Sequence, residues 1–195
     1  MDLFKGAERL MAMSDQSWAC HANPLSAWSR LFSAPFFFLA LWSPFWIGWW
    51  GAGPIAALAV WTIVNPRLFS PPSHTRSWAT QGVLGERVFL NRTNVPIPEH
   101  HRRAALLTTG LSATFVVPVL AGFVLRDFWL ALTAWHAVVL SKVWFVDRMV
   151  WLWRDVYATH PVYRAWNDAD WTASLKVELN NGPQATAGIE NHDRT

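Results

Sequence analysis

Glu99, His100 and His101 stand side by side just ahead of a long apolar run. Imidazole nitrogens next to a carboxylate are the donors of a transition-metal half-site. Neighbouring residues on a regular helix point about 100° apart, so two adjacent histidines do not easily share one ion. The half-site therefore expects one of them with Glu99, His21 or Asp147. A second group of chemically capable residues is spread along the chain: Glu86, Asp147 and His21 have the groups for proton transfer, while Arg87, Arg148, Lys142 and Asn23 have the donors to hold an anion. Cys20 is the single cysteine, which excludes an intrachain disulfide and a CxxC redox pair. There is no serine nucleophile elbow, phosphate-cradling glycine loop or haem-attachment motif.

The elements that must position these residues are read from hydropathy. No Asp, Glu, Lys, Arg or His occurs between Leu31 and Val64. As one helix that run would measure about 50 Å, against a hydrocarbon core of about 30 Å. Gly48, Gly51, Gly53 and Pro54 punctuate it, and the expected form is a helical hairpin with arms over 29–50 and 53–64, the first kinked at Pro44, with a re-entrant pair as the alternative because the second arm is short. Residues 104–125 predict a third span with a kink at Pro118. Arg126 and Asp127 form a short turn, and a last helix runs over 128–157. Asn23 followed by Pro24 is a helix start, with the side chain capping and proline in the first helical position. Met1 to Ser14 predict an amphipathic helix lying on a membrane surface. The expected organisation is an interfacial segment at 1–28, hairpins at 29–64 and 104–157, an interfacial loop at 65–103 and a polar tail at 158–195.

The chain has 195 residues, 52% hydrophobic and only 15% charged, with 15 tryptophans, which suits membrane interfaces. The basic net charge of +3 does not point to nucleic acid, because the basic residues cluster beside apolar runs. Six arginines lie between Pro66 and Arg103, whereas the opposite turns hold only Arg126. The arginine-rich loop is thus expected in the cytoplasm, with both termini, in a multi-pass protein of the inner membrane. On the last helix His136, Val143, Asp147 and Arg154 share a stripe, and His136 is the deepest candidate for a buried polar contact. Asp147 is expected to find a cation, Arg87 first because a guanidinium can grip a carboxylate with two parallel bonds.

A resemblance rests on His21-Ala-Asn-Pro24 with Ser26, Asn65-Pro-Arg67, Gly82-Val-Leu-Gly-Glu-Arg87, Pro98 with His100-His101, and Asp147-Arg-Met-Val-Trp-Leu152. Over about residues 2–155 the chain resembles a family of small prokaryotic polytopic membrane proteins catalogued as a domain of unknown function. The resemblance implies a four-helix membrane architecture and no reaction. The reading is an all-α polytopic protein with about four transmembrane helices and an N-terminal interfacial helix. Its polar cytoplasmic face would hold a binding or catalytic site for a lipid headgroup or membrane-soluble small molecule, with a transition metal at Glu99, His100 and His101. Membrane lipids, a second copy or a partner membrane protein are the expected partners. The alternatives are a non-catalytic accessory subunit and, less well supported, a transporter.

Overall fold

The structure is a computed structural model that describes residues 15–159, 163 and 164. The expected surface helix at Met1 to Ser14 and nearly all of the polar tail lie outside the described residues. Every regular element among the described residues is helical: α1 (Asp15–His21), α2 (Pro24–Trp42), α3 (Pro44–Ile47), a 3₁₀ turn (Gly48–Gly51), α4 (Ala52–Leu68), α5 (Trp78–Leu90), α6 (Glu99–Leu125) and α7 (Phe128–Val156). Three segments are long and apolar enough to cross a membrane, Pro24–Asn65, Glu99–Leu125 and Phe128–Val156.

The first of these segments doubles back on itself. Ser26 at its start donates to Asn65 Oδ1 at its end over 2.9 Å, so α2 and α4 run antiparallel. Gly48 supplies a φ of 56° where the chain reverses, a conformation that glycine adopts without steric cost. The break falls earlier than glycine and proline spacing suggests. α2 stops at Trp42, because Pro44 has no amide hydrogen to continue the ladder, and a new short helix begins there instead of a kinked continuation. The second arm is correspondingly longer, about 26 Å at 1.5 Å per residue. Asn23 caps α2 as its sequence requires, accepting from the Leu25 amide at 2.8 Å with Pro24 next.

α6 and α7 form a tighter hairpin. Gly122 lies against the Ala131 backbone, closer than any Cβ would allow. The two-residue turn saturates both helix ends. Asp127 N–H donates back to Gly122 O at 2.8 Å, and the Asp127 carboxylate accepts from the Leu130 amide at 3.0 Å. Phe38, Trp42 and Ala131, with Phe123 and Phe128, pack the end where both hairpins turn. At this end Trp46, Trp49, Trp50 and Trp129 stand on the surface, each at least 60% exposed.

The other end carries the main core. Leu84, Val88, Phe89, Phe145, Met149, Leu152 and Trp153 bury one another where α5 packs across α7. The loop segment 82–92 reads as a surface helix with snorkelling arginines. It is instead deeply packed, with nine of the thirteen residues of α5 buried. Gly82 and Gly85 explain why. A Cβ at Gly85 would strike the Met149 carbonyl oxygen, and one at Gly82 would come within 2.5 Å of Val146 Cγ1. The two glycines bring the α5 backbone directly onto α7, which fixes the position of Glu86 one residue later.

Candidate functional site

The deepest consequence of that seam is a cavity of about 430 Å³ between α2, α5 and α7. Its walls are apolar and aromatic, with Trp28, Trp78, Trp135, Val139, Val143 and Val146 among them, and four polar side chains face it: His21, Arg30, Glu86 and Lys142. At the far end Trp135 Nε1 donates to the Ala34 carbonyl at 3.1 Å, joining α7 to α2. Trp28 stacks on Trp78 with centroids 5.7 Å apart on the side nearer the α5 N-terminus.

Each polar member is held by its own element. Arg30 projects from α2, and all its hydrogen bonds fall on one nitrogen. Nη1 lies 3.0 Å from His21 Nδ1, 2.7 Å from Ser26 Oγ and 3.0 Å from Asn65 Oδ1. Asn65 is fully buried and is itself fixed by its Nδ2 donating to Ser29 Oγ at 2.8 Å. Nε and Nη2 of Arg30 have no hydrogen-bond partner among the described residues. Because a guanidinium only donates, His21 Nδ1 must accept, which places the imidazole proton on Nε2. Burial, reinforced by the Arg30 charge, drives the His21 pKa from 6.5 to about 3. The ring is therefore neutral.

Glu86 and Lys142 complete this polar group, Lys142 Nζ donating to Glu86 Oε1 at 3.1 Å. Burial pushes the Glu86 pKa up, but the Lys142 charge and hydrogen bond, with Arg30 behind them, outweigh it and hold the carboxyl below its ordinary value. Glu86 Oε2 has no described partner. Two cations, one carboxylate and a neutral imidazole leave one positive charge in excess at an apolar cavity.

The site is thus assembled from three of the motifs that mark the sequence: His21 with Ser26, Asn65, and the Gly82–Glu86 stretch meet here, joined by Lys142 of the last helix. This chain belongs to a family of unknown function, DUF6653, whose profile matches residues 7–171. No curated protein and no solved structure matches it.

The remaining sequence candidates are placed elsewhere. Asn23 does not reach the cavity polar group; its Nδ2 donates to the Ser70 carbonyl at 2.8 Å and ties α2 to the end of α4. Asp147 does not pair with Arg87. Its partners are the neighbouring Arg148 Nη2 at 2.6 Å and Trp78 Nε1 at 3.2 Å. Arg87 and Arg148 are absent from the cavity wall, which leaves Arg30 as the guanidinium there. Arg30 escapes a sequence reading because it stands at the edge of the apolar run, where it resembles a topology residue. The polar spacing Ser26, Ser29, Arg30 and Asn65 was the available signal. His136 is exposed and donates from Nδ1 to the Leu132 carbonyl at 2.8 Å, one turn back, which satisfies it without a tertiary partner.

Glu99 also departs from its expected role. Its carboxylate accepts from Arg102 Nε at 2.8 Å, Arg102 Nη2 at 2.9 Å and Arg103 Nε at 3.2 Å, all on the exposed face of α6. His100 and His101 turn instead toward Asp155 of α7. The Cys20 thiol is pushed up by burial from 9.0, which keeps it protonated and a poor nucleophile.

Proposed function

We propose that this protein lies in the inner membrane with four crossing helices and binds a membrane-soluble amphiphile of acidic headgroup in the cavity between α2, α5 and α7. The arginine-rich loop and both termini face the cytoplasm. The observation that carries the reading is the cavity itself: apolar walls of small-molecule size with Arg30 and Lys142 at one side and one uncompensated positive charge. An acyl or isoprenoid chain would occupy the space lined by Val139, Val143 and Trp135. The acidic head would take the unused Nε and Nη2 donors of Arg30 and share Lys142 with Glu86. The exposed leucines, phenylalanines and tryptophans of α2, α6 and α7 suit contact with lipid, since a water-facing surface rarely carries so much apolar area.

Quenching of tryptophan fluorescence tests the reading, because Trp28, Trp78 and Trp135 line the cavity. A spin-labelled fatty acid should quench the purified protein saturably in detergent, and the matching fatty alcohol should bind at least about tenfold more weakly, as expected for loss of a charge-assisted contact. Arg30→Gln should remove that preference, and Val139→Trp should abolish saturable quenching by filling the space. Equal binding of acid and alcohol would overturn the headgroup assignment. Absence of saturable binding by either would overturn the cavity as a ligand site and favour an accessory subunit that packs through its tryptophans.

A further inference from the structure

The second polar cluster lies about 20 Å further along α7 from Lys142, taking 1.5 Å per residue. It owes nothing to the cavity. His100 and His101 open α6, and Asp155 sits in the last turn of α7. His101 Nε2 lies 2.7 Å from Asp155 Oδ2, and His100 Nε2 lies 3.8 Å from the same oxygen. One donor atom from each of the three residues fits within a span of 4.8 Å. The imidazole centroids are only 4.1 Å apart. Adjacent histidines converge here because their common target is outside α6, on the neighbouring helix α7. A shared ligand on the axis of one helix would have forced them apart.

We propose that His100, His101 and Asp155 bind a divalent first-row transition metal ion. Two imidazoles and one carboxylate are borderline donors that prefer such ions over magnesium or calcium. The ion would replace the proton between His101 Nε2 and Asp155 Oδ2, and His100 would swing inward as the third ligand. Asp155 Oδ1 has no partner among the described residues and can widen the coordination. The burial is graded in a useful way: the His101 side chain is 6% exposed, Asp155 49% and His100 70%. One ligand is therefore fixed in the protein interior while the outer side of the ion faces solvent. Three protein ligands with an open side leave room for an exchangeable water, the arrangement of metal sites that act on a substrate and not of closed structural ones. Glu99 has no part in it.

The full chain, purified in detergent with any affinity tag removed, should take up close to one Co²⁺, giving visible d–d absorption that Zn²⁺ displaces and Mg²⁺ does not. His100→Ala removes an exposed ligand at little risk to folding, and Asp155→Asn keeps a hydrogen bond to His101 while removing the charge. Each should weaken Co²⁺ binding at least about tenfold, and each should cancel the rise in melting temperature that Zn²⁺ gives the unaltered chain. Glu99→Gln should bind as the unaltered chain does. Failure of the unaltered chain to bind Co²⁺, or binding by His100→Ala and Asp155→Asn as tight as that of the unaltered chain, would overturn the proposal, leaving His101 and Asp155 as a hydrogen bond that joins α6 to α7.

Discussion

The cavity cluster and the corner at the end of α7 use similar residues and reach opposite electrostatic conditions. In the cavity, His21, Arg30, Glu86 and Lys142 come from four elements; the first three are half-buried and the exposed Lys142 reaches in from the rim, so each charge is either paired or held against a neutral acceptor. At the corner, His100, His101 and Asp155 come from two elements, and two of the three remain substantially exposed. Enclosure makes a group choose its protonation state when the protein folds. Exposure leaves the donors uncommitted until an ion arrives. The first condition suits selective binding of an organic anion, the second suits capture of a metal.

The sharpest way to break this contrast is to remove what encloses the cavity. Gly85→Ala forces a methyl group into the Met149 carbonyl, and backbone cannot move aside as a side chain can. Overpacking of this kind against main chain should cost about 3 kcal/mol or more. Gly82→Ala should cost less, because its obstacle is the tip of Val146, a side chain that can rotate. Thermal unfolding in detergent measures both. Because the ligands of the corner come from α6 and α7 only, Gly85→Ala should lose fatty-acid quenching below its melting temperature while keeping Co²⁺ binding. Joint loss of both would show that the two clusters share one supporting unit.

The protonation states differ in a measurable way. His21 is held neutral, with a folded pKa of about 3 against 6.5 in an unfolded chain. Below pH 6.5 the unfolded chain takes up a proton that the folded protein refuses. Stability is therefore full above pH 6.5 and falls as the pH drops toward 3, at up to about 1.4 kcal/mol per pH unit. Glu86 acts in the same direction but starts lower, since its depressed carboxyl loses its contribution only as the pH falls below 4.5. Melting curves across pH 3 to 8 should show a decline beginning near 6.5. In His21→Gln it should begin only near 4.5. An unaltered onset in His21→Gln would mean that the imidazole is not held neutral by its surroundings.

Much of this architecture is legible in the residues alone, for physical reasons that also explain what is not. Uncharged runs, the Asn23-Pro24 start and the Arg126-Asp127 turn report on local structure, and each stands in the fold as its chemistry requires. The Ser43-Pro44 break sits a few residues from the glycines because proline ends a helix where it stands, whatever follows. Tertiary placement is less readable. Gly82 and Gly85 look like weak points of a surface helix, yet their missing side chains are what permit α5 to meet α7 backbone to backbone. Arg30 looks like a boundary charge, and only the antiparallel return of α4, which delivers Asn65, turns it inward. Asp155 and His100 are 55 positions apart, and only the closing of two helices of nearly equal length, 27 and 29 residues, sets them side by side.

The smallest effect expected lies at the turn between α6 and α7, far from both clusters. Arg126 has φ 55° and ψ 32°, the left-handed conformation that closes a helix and that suits glycine. A side chain with a Cβ costs about 1 kcal/mol there. Part of that cost is offset where the Arg126 guanidinium lies 5.6 Å from the Phe45 ring centroid, a contact worth about 0.5–1 kcal/mol at an exposed site. Arg126→Gly removes the strain and the contact together, so it should raise stability by no more than about 0.5 kcal/mol. Arg126→Gln keeps the strain and loses the cation, so it should lower stability by a similar amount. The pair of melting temperatures separates backbone strain from ring contact, since only the strain depends on the Cβ. If both variants fall together, the contact with Phe45 dominates, and the arginine is retained at this position to join the two hairpins and not to orient them.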